Sequence, residues 1–148
     1  MKESPTIQHL MQQLLDRYNV DLCSVGTFLR LDQPEHNSLV IDHMGTAQIS
    51  IMTCYVECGE WRIDREVLFF TGYPNQWIPI EITQMETGWT AFARLSSDSQ
   101  RIARINHCGQ ERLAEFTECW ARKLTRQNWL ERGTPYLTWT PPSRKELV

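Results

Sequence analysis

No stretch of this 148-residue sequence approaches the ~18 apolar residues of a membrane span. Its opening, MKESPTIQHLMQQ, also lacks the apolar core of a secretion signal. Both absences point to a cytoplasmic protein with no membrane attachment. Lysine is scarce, limited to Lys2, Lys123 and Lys145, and none stands two residues after a strand carboxylate. That excludes the Glu-x-Lys pattern of one class of metal-dependent nucleases. Gly-x-Ser-x-Gly, Gly-x-Gly-x-x-Gly and Walker-type phosphate loops are all missing, so no nucleophile elbow or phosphate cradle can be assigned. His9, His36, His43 and His107 have no acid partner at a recognisable spacing. The five cysteines (Cys23, Cys54, Cys58, Cys108 and Cys119) are odd in number and follow no disulfide framework, so reduced thiols are expected.

What remains is ordinary globular material. Hydrophobic residues make up 41% and charged residues 22%, enough to bury a core in one domain without disulfides or metal. The net charge of −3 gives no bulk attraction to nucleic acid or anionic lipid. The charge is uneven: residues 1–95 carry 6 basic and 12 acidic side chains, and residues 96–148 carry 9 and 6.

Ser4-Pro5 reads as a helix start, and Ile7, Leu10, Met11, Leu14, Leu15 and Tyr18 then line one face of an amphipathic helix over roughly 5–18. From residue 25 the period changes to that of strands. TFLRL, SLVIDH, TAQISIMTCYVE, EVLFF, QWIPIEITQ and GWTAFARL are separated by turn chemistry too short for parallel crossovers. Pro79 marks an edge strand or a bulge in the fifth run. A connector, partly helical, precedes a second helix from about Gly109 to Glu131, ended by Gly133 and Pro135. The expected architecture is one α+β domain. It comprises an N-terminal helix (1–20), an antiparallel meander of five to six strands (25–95), a connector and C-terminal helix (96–133), and an extended tail (134–148). Both helices pack on one face of the sheet.

With the elements in order, the chain resembles an uncharacterised bacterial domain family of unknown function, often encoded on plasmids, phages and integrative elements. Tyr55, Gly59, Asp64 and Glu66 match its motif after a long strand, and Glu60 replaces an aspartate. Trp77-Ile78-Pro79 is similar to a downstream Trp-x-Pro, and EFTECWARKLTRQNW resembles the closing helix, so the likeness spans about residues 25–130. Cys54, Cys58 and Arg65 stand where that family has histidine, asparagine and proline. The resemblance implies a fold and a mobile-element setting, and no activity.

Four candidate sites follow. Cys54 and Cys58 could open a zinc site, but a tetrahedral centre needs four ligands, and His43, His107 and Cys108 would have to converge from separate elements. Buried and turn thiols, unbridged and metal-free, are the expectation, with 57–65 forming the turn between two strands. Glu57, Glu60, Asp64 and Glu66 could hold Mg²⁺ in a hydrolase, or simply line a Gly59-centred turn. Arg101, Arg104, Arg112, Arg122 and Arg126 could meet phosphates as a nucleic-acid-contacting subunit, although Glu111, Glu115 and Glu118 are placed to neutralise them, as in Glu118–Arg122. Trp61, Trp77 and Trp139 are candidate anchors for a protein partner, because tryptophan is enriched at interaction hot spots. A non-catalytic protein-interaction domain with no cofactor is the leading expectation.

Overall fold

The computed structural model describes residues 1–24 and 26–139. Helix α1, Pro5–Arg17, begins at the expected proline and buries Ile7, Leu10, Met11, Leu14 and Leu15. Six consecutive strands follow: β1 Phe28–Gln33, β2 His36–Gly45, β3 Gln48–Glu57, β4 Glu60–Phe70, β5 Ile78–Gln84 and β6 Gly88–Ala91. They form an antiparallel meander that a late strand, β9 (Thr134–Tyr136), extends by pairing with β1. The sheet therefore has seven strands, in the order β6-β5-β4-β3-β2-β1-β9. Among the described residues, no helix is long and apolar enough to cross a membrane.

One face of this sheet is covered as the sequence leads one to expect. Leu29, Leu31, Leu39, Ile41, Ile49, Ile51, Val67 and Phe69 pack against α1 and against α2, His107–Arg126. Leu113, Trp120, Ala121 and Leu124 are the buried side of α2. Asn106 caps that helix, its side chain accepting the Gly109 amide at 3.0 Å. The helix ends earlier than its periodicity suggests, because Asn128 takes a left-handed conformation (φ 58°). Asparagine tolerates that region better than most residues. The break lets the four-residue helix α3, Trp129–Arg132, swing Trp129 into the core.

The second face is covered differently. The expected sixth strand splits at Phe92: β6 stays in the main sheet, while β7 (Ala93–Leu95) pairs with β8 (Ile102–Ile105) in a separate hairpin. The partly helical connector expected here is thus a β-hairpin. Its turn is built by Ser96 and Asp98, whose side chains bond each other at 2.6 Å and collect the Gln100 and Arg101 amides. The hairpin shelters Leu68, Phe70, Ile78 and Ile80. Farther along, Val40, Met52, Cys54 and Ile63 lie beneath Trp61 and Trp139.

One further expectation is corrected and another is resolved. The stretch 57–65 is not a long turn: Glu57 pairs with Glu60, leaving Cys58-Gly59 as a two-residue loop inside one long hairpin. Of the two alternatives for Pro79, the bulge holds and the edge strand does not, since β5 lies between β4 and β6. The sheet accommodates it by a bulge, where Phe69 pairs with Pro79 and Leu68 with Glu81.

The tight loop yields a test. Cys58 and Gly59 both have positive φ, 52° and 79°, the pattern of a type I′ turn. Glycine adopts this freely and cysteine does not, whereas Asn-Gly is the preferred pair. Cys58→Asn should therefore stabilise the protein by about 0.5–1 kcal/mol in chemical denaturation. A lower stability would mean that the turn is not of this type.

Candidate interaction site

The sequence-nominated residues do not assemble into one site. Trp77 is buried beside Phe69, ring centroids 5.9 Å apart, and its carbonyl accepts the Ser4 amide that anchors the N-terminus. It is a core side chain and offers no surface to a partner. Trp61 and Trp139 are half-buried around Arg30, whose guanidinium lies 4.5 Å and 4.8 Å from their ring centroids and 4.5 Å from that of Tyr136. Asp32 closes this cluster with a two-point ion pair to Arg30. The two tryptophans thus latch the C-terminal segment across the sheet.

The four carboxylates diverge. Glu57 and Glu60 sit at the exposed hairpin tip, where Glu60 pairs with Arg62 at 3.3 Å. Asp64 accepts from Thr53 Oγ1 at 3.2 Å, and Glu66 accepts from Ser50 Oγ at 2.7 Å. Thr53 belongs to the helix-covered side of β3 and Ser50 to the other, so the sheet separates Asp64 from Glu66. Among the described residues, no group of three or more His, Cys, Asp or Glu could hold a metal ion. Cys54 is buried on β3, its thiol pushed up to about 12 chiefly by burial, and Cys58 is exposed at the loop. Neither is bridged.

The five arginines are exposed, but the sheet divides them as well. Arg101 and Arg104 ride on the hairpin under the second face; Arg112, Arg122 and Arg126 lie on α2 above the first. The anticipated Glu118–Arg122 pair is not formed. Glu118 instead receives the backbone amide and hydroxyl of Thr6, satisfying the first turn of α1, and Arg122 donates to the Cys119 sulfur.

A different residue stands out. In β4 the register shifts so that Arg65 opposes Thr53 while Ile63 opposes Cys54, leaving Asp64 as the extra residue of a bulge. The bulge puts Ile63 on the second face with Leu68 and Phe70, but brings Arg65 to the helix side with Val67 and Phe69. There the Arg65 guanidinium lies 4.8 Å from the Phe116 ring centroid and 5.6 Å from that of Trp120. Its Nε is buried and has no hydrogen-bond partner. The two rings offset part of that cost by cation–π attraction, about 0.5–2 kcal/mol, against roughly 1–3 kcal/mol or more for an unmet buried donor.

Two clefts meet at Arg65 and Asp64. The larger, about 240 Å³, extends past Thr53, Trp120, Lys123 and Gln127 to the β1–β2 turn at Glu35, His36 and Asn37. The smaller, about 170 Å³, runs to the β5–β6 turn at Gln84, Met85, Glu86 and Thr87. Beyond that turn lies β6, the outermost strand on its side, with all four residues exposed. Trp89 is 59% exposed, its indole N–H held by Glu81 at 2.6 Å. Sequence reasoning did not single out Arg65, and it weighed Trp89 only with the other tryptophans. An arginine in phase with Val67 and Phe69 was the available signal for the first.

The profile of a domain of unknown function, DUF6908, matches residues 6–130. The chain belongs to the DUF6908 family. No curated protein and no solved structure matches it. The matched span of this DUF6908 domain runs from α1 to α3 and holds the Arg65 clefts and β6, but not β9 or Trp139.

Because these five arginines are split between two faces, they form no continuous phosphate track among the described residues. Random duplex DNA or RNA should bind with Kd above ~10⁻⁶ M near physiological salt. A salt titration with labelled DNA and RNA checks this. Tight binding that falls steeply with salt, and disappears in Arg122→Glu and Arg126→Glu variants, would contradict it.

Proposed function

We propose that this DUF6908 domain is a non-catalytic protein-interaction module that receives an extended segment of a partner along β6. The observation that carries the reading is the outer side of that strand, unpaired among the described residues. Phe92 donates its amide to Ile80, so by antiparallel alternation Thr90 also faces β5 while the Trp89 and Ala91 amides point outward. An added strand would satisfy those groups, and the exposed Trp89 ring would supply an anchor beside it. The opposite edge of the meander is already occupied, since β9 pairs with β1. The β6 edge carries no lysine and no proline, two common blocks to edge pairing, although its shortness limits the length of an added strand.

The absence of converging catalytic groups among the described residues fits an accessory role better than a hydrolytic one. A cytoplasmic setting, within bacterial mobile-element or host-defence systems, is part of this proposal. Its mobile-element part rests on the sequence resemblance described above, not on the fold.

The test uses peptides selected for binding from a random library. Ala91→Pro removes one outward amide and leaves the β5–β6 hydrogen bonds in place, so stability should change by no more than about 0.5 kcal/mol. Selected peptides should lose binding to Ala91→Pro and to Trp89→Ala while still binding Arg122→Glu. Peptides that bind all three variants equally would overturn the reading.

A further inference from the structure

Arg65 carries five N–H donors into a half-buried position, yet among the described residues it makes no hydrogen bond or ion pair with the protein. Its charge is held only by the faces of Phe116 and Trp120. A guanidinium so placed is pre-oriented, because stacking fixes its plane while its edge remains available to a planar anion. We propose that the larger Arg65 cleft binds a single carboxylate group presented by a protein partner. The inference draws on the interaction reading only for the source of that carboxylate.

The other lining groups define the ligand. Lys123 adds a second cation at the exposed rim, and Gln127 accepts the Trp129 indole N–H through Oε1, which leaves its amide NH₂ to donate. Asp64 and Glu35 line the same cleft and balance the two cations. A phosphate dianion or a polyphosphate would meet those carboxylates at close range, whereas one carboxylate can pair with Arg65 in the two-point geometry that arginine favours. Size points the same way: about 240 Å³ is below the ~300–1,000 Å³ usual for small-molecule and cofactor sites, and suits an inserted side chain. A glutamate or aspartate of a protein segment meets these conditions. A free small carboxylate shares the chemistry, and the experiment separates the two.

The full chain is titrated with acetyl-Gly-Glu-Gly-amide, its Gln counterpart, acetate and inorganic phosphate, while the Arg65 Nε–Hε resonance and tryptophan fluorescence are followed. The Glu peptide should shift the Arg65 signal saturably and the Gln peptide should not. Acetate should bind more weakly than the Glu peptide, and phosphate more weakly still. Arg65→Gln should reduce Glu-peptide affinity by about tenfold or more. That variant could also loosen the stack on Phe116 and Trp120. Lys123→Gln, at an exposed position, gives an independent measure and should weaken binding about two- to fivefold.

No saturable shift at Arg65, or equal binding of the Glu and Gln peptides, overturns the proposal. Phosphate binding more tightly than the Glu peptide overturns the carboxylate preference, and acetate binding as tightly overturns the protein source. The Arg65 Nε–Hε readout does not involve β6, so strand addition and the carboxylate site can fail independently.

Discussion

A seven-stranded antiparallel sheet has two faces to keep from water, and this chain commits both of its long helices to one of them. That constraint governs the rest of the fold. The second face must be covered by other means, and the chain uses the two segments that flank α2 in sequence. The β7–β8 hairpin covers one end, and the segment carrying Trp139 covers the other. Between them the face turns polar: Ser50, Glu66 and Thr83 are buried there, and Asp42 lies alongside. Burial, with the Glu66 carboxylate second, pushes the Asp42 pKa up to about 6. The folded chain therefore holds that proton more tightly than the unfolded one, whose aspartates titrate near ~3.9. This group withdraws stability as pH rises from about 4 through 6.

The same distribution of cover decides where interaction surface remains. Both long edges of α2 are engaged with α1 and the sheet, and β9 blocks the edge at β1. Among the described residues, two neighbouring features stand open: the β6 edge and, around the β5–β6 turn, the trough in which the β4 bulge holds Arg65 against α2. These two features adjoin through Gln84, Met85, Glu86 and Thr87. On the proposed reading, one would give main-chain pairing without much sequence preference and the other a charged point of recognition, together suiting an extended segment that carries one acidic residue.

Much of this was legible in the sequence, and the exceptions have physical reasons. The spacing of Ile7, Leu10, Met11, Leu14 and Leu15 determines α1, and the alternation of QISIMTCY assigns each β3 residue to a face. The β8 strand was hidden because IARI is short and embedded in polar residues, and half of its alternation faces water. The pairing of β9 has no apolar pattern at all, since Thr134-Pro135-Tyr136 becomes a strand only by using the edge of β1. The Cys58-Gly59 loop was misjudged because cysteine gives no hint of a left-handed turn, although Gly59 did. The phase of Arg65 with Val67 and Phe69 could be read from the sequence, but only the paired strand reveals the one-residue bulge that turns Ile63 to the other face and leaves Asp64 beside Arg65. Trp77 is buried while Trp61 and Trp139 are half-buried, a difference the sequence does not carry because exposure depends on partners distant in sequence.

The central claim is that the β6 edge is open while the centre of the sheet is sealed on both faces. Residue-resolved amide hydrogen exchange on the full chain tests this most directly. The Trp89 and Ala91 amides should exchange at least about 10³-fold faster than those of Ile51, Met52, Val67 and Leu68, which open only with global unfolding. Protection of Trp89 and Ala91 comparable to that of the central strands, persisting on dilution, would contradict the account.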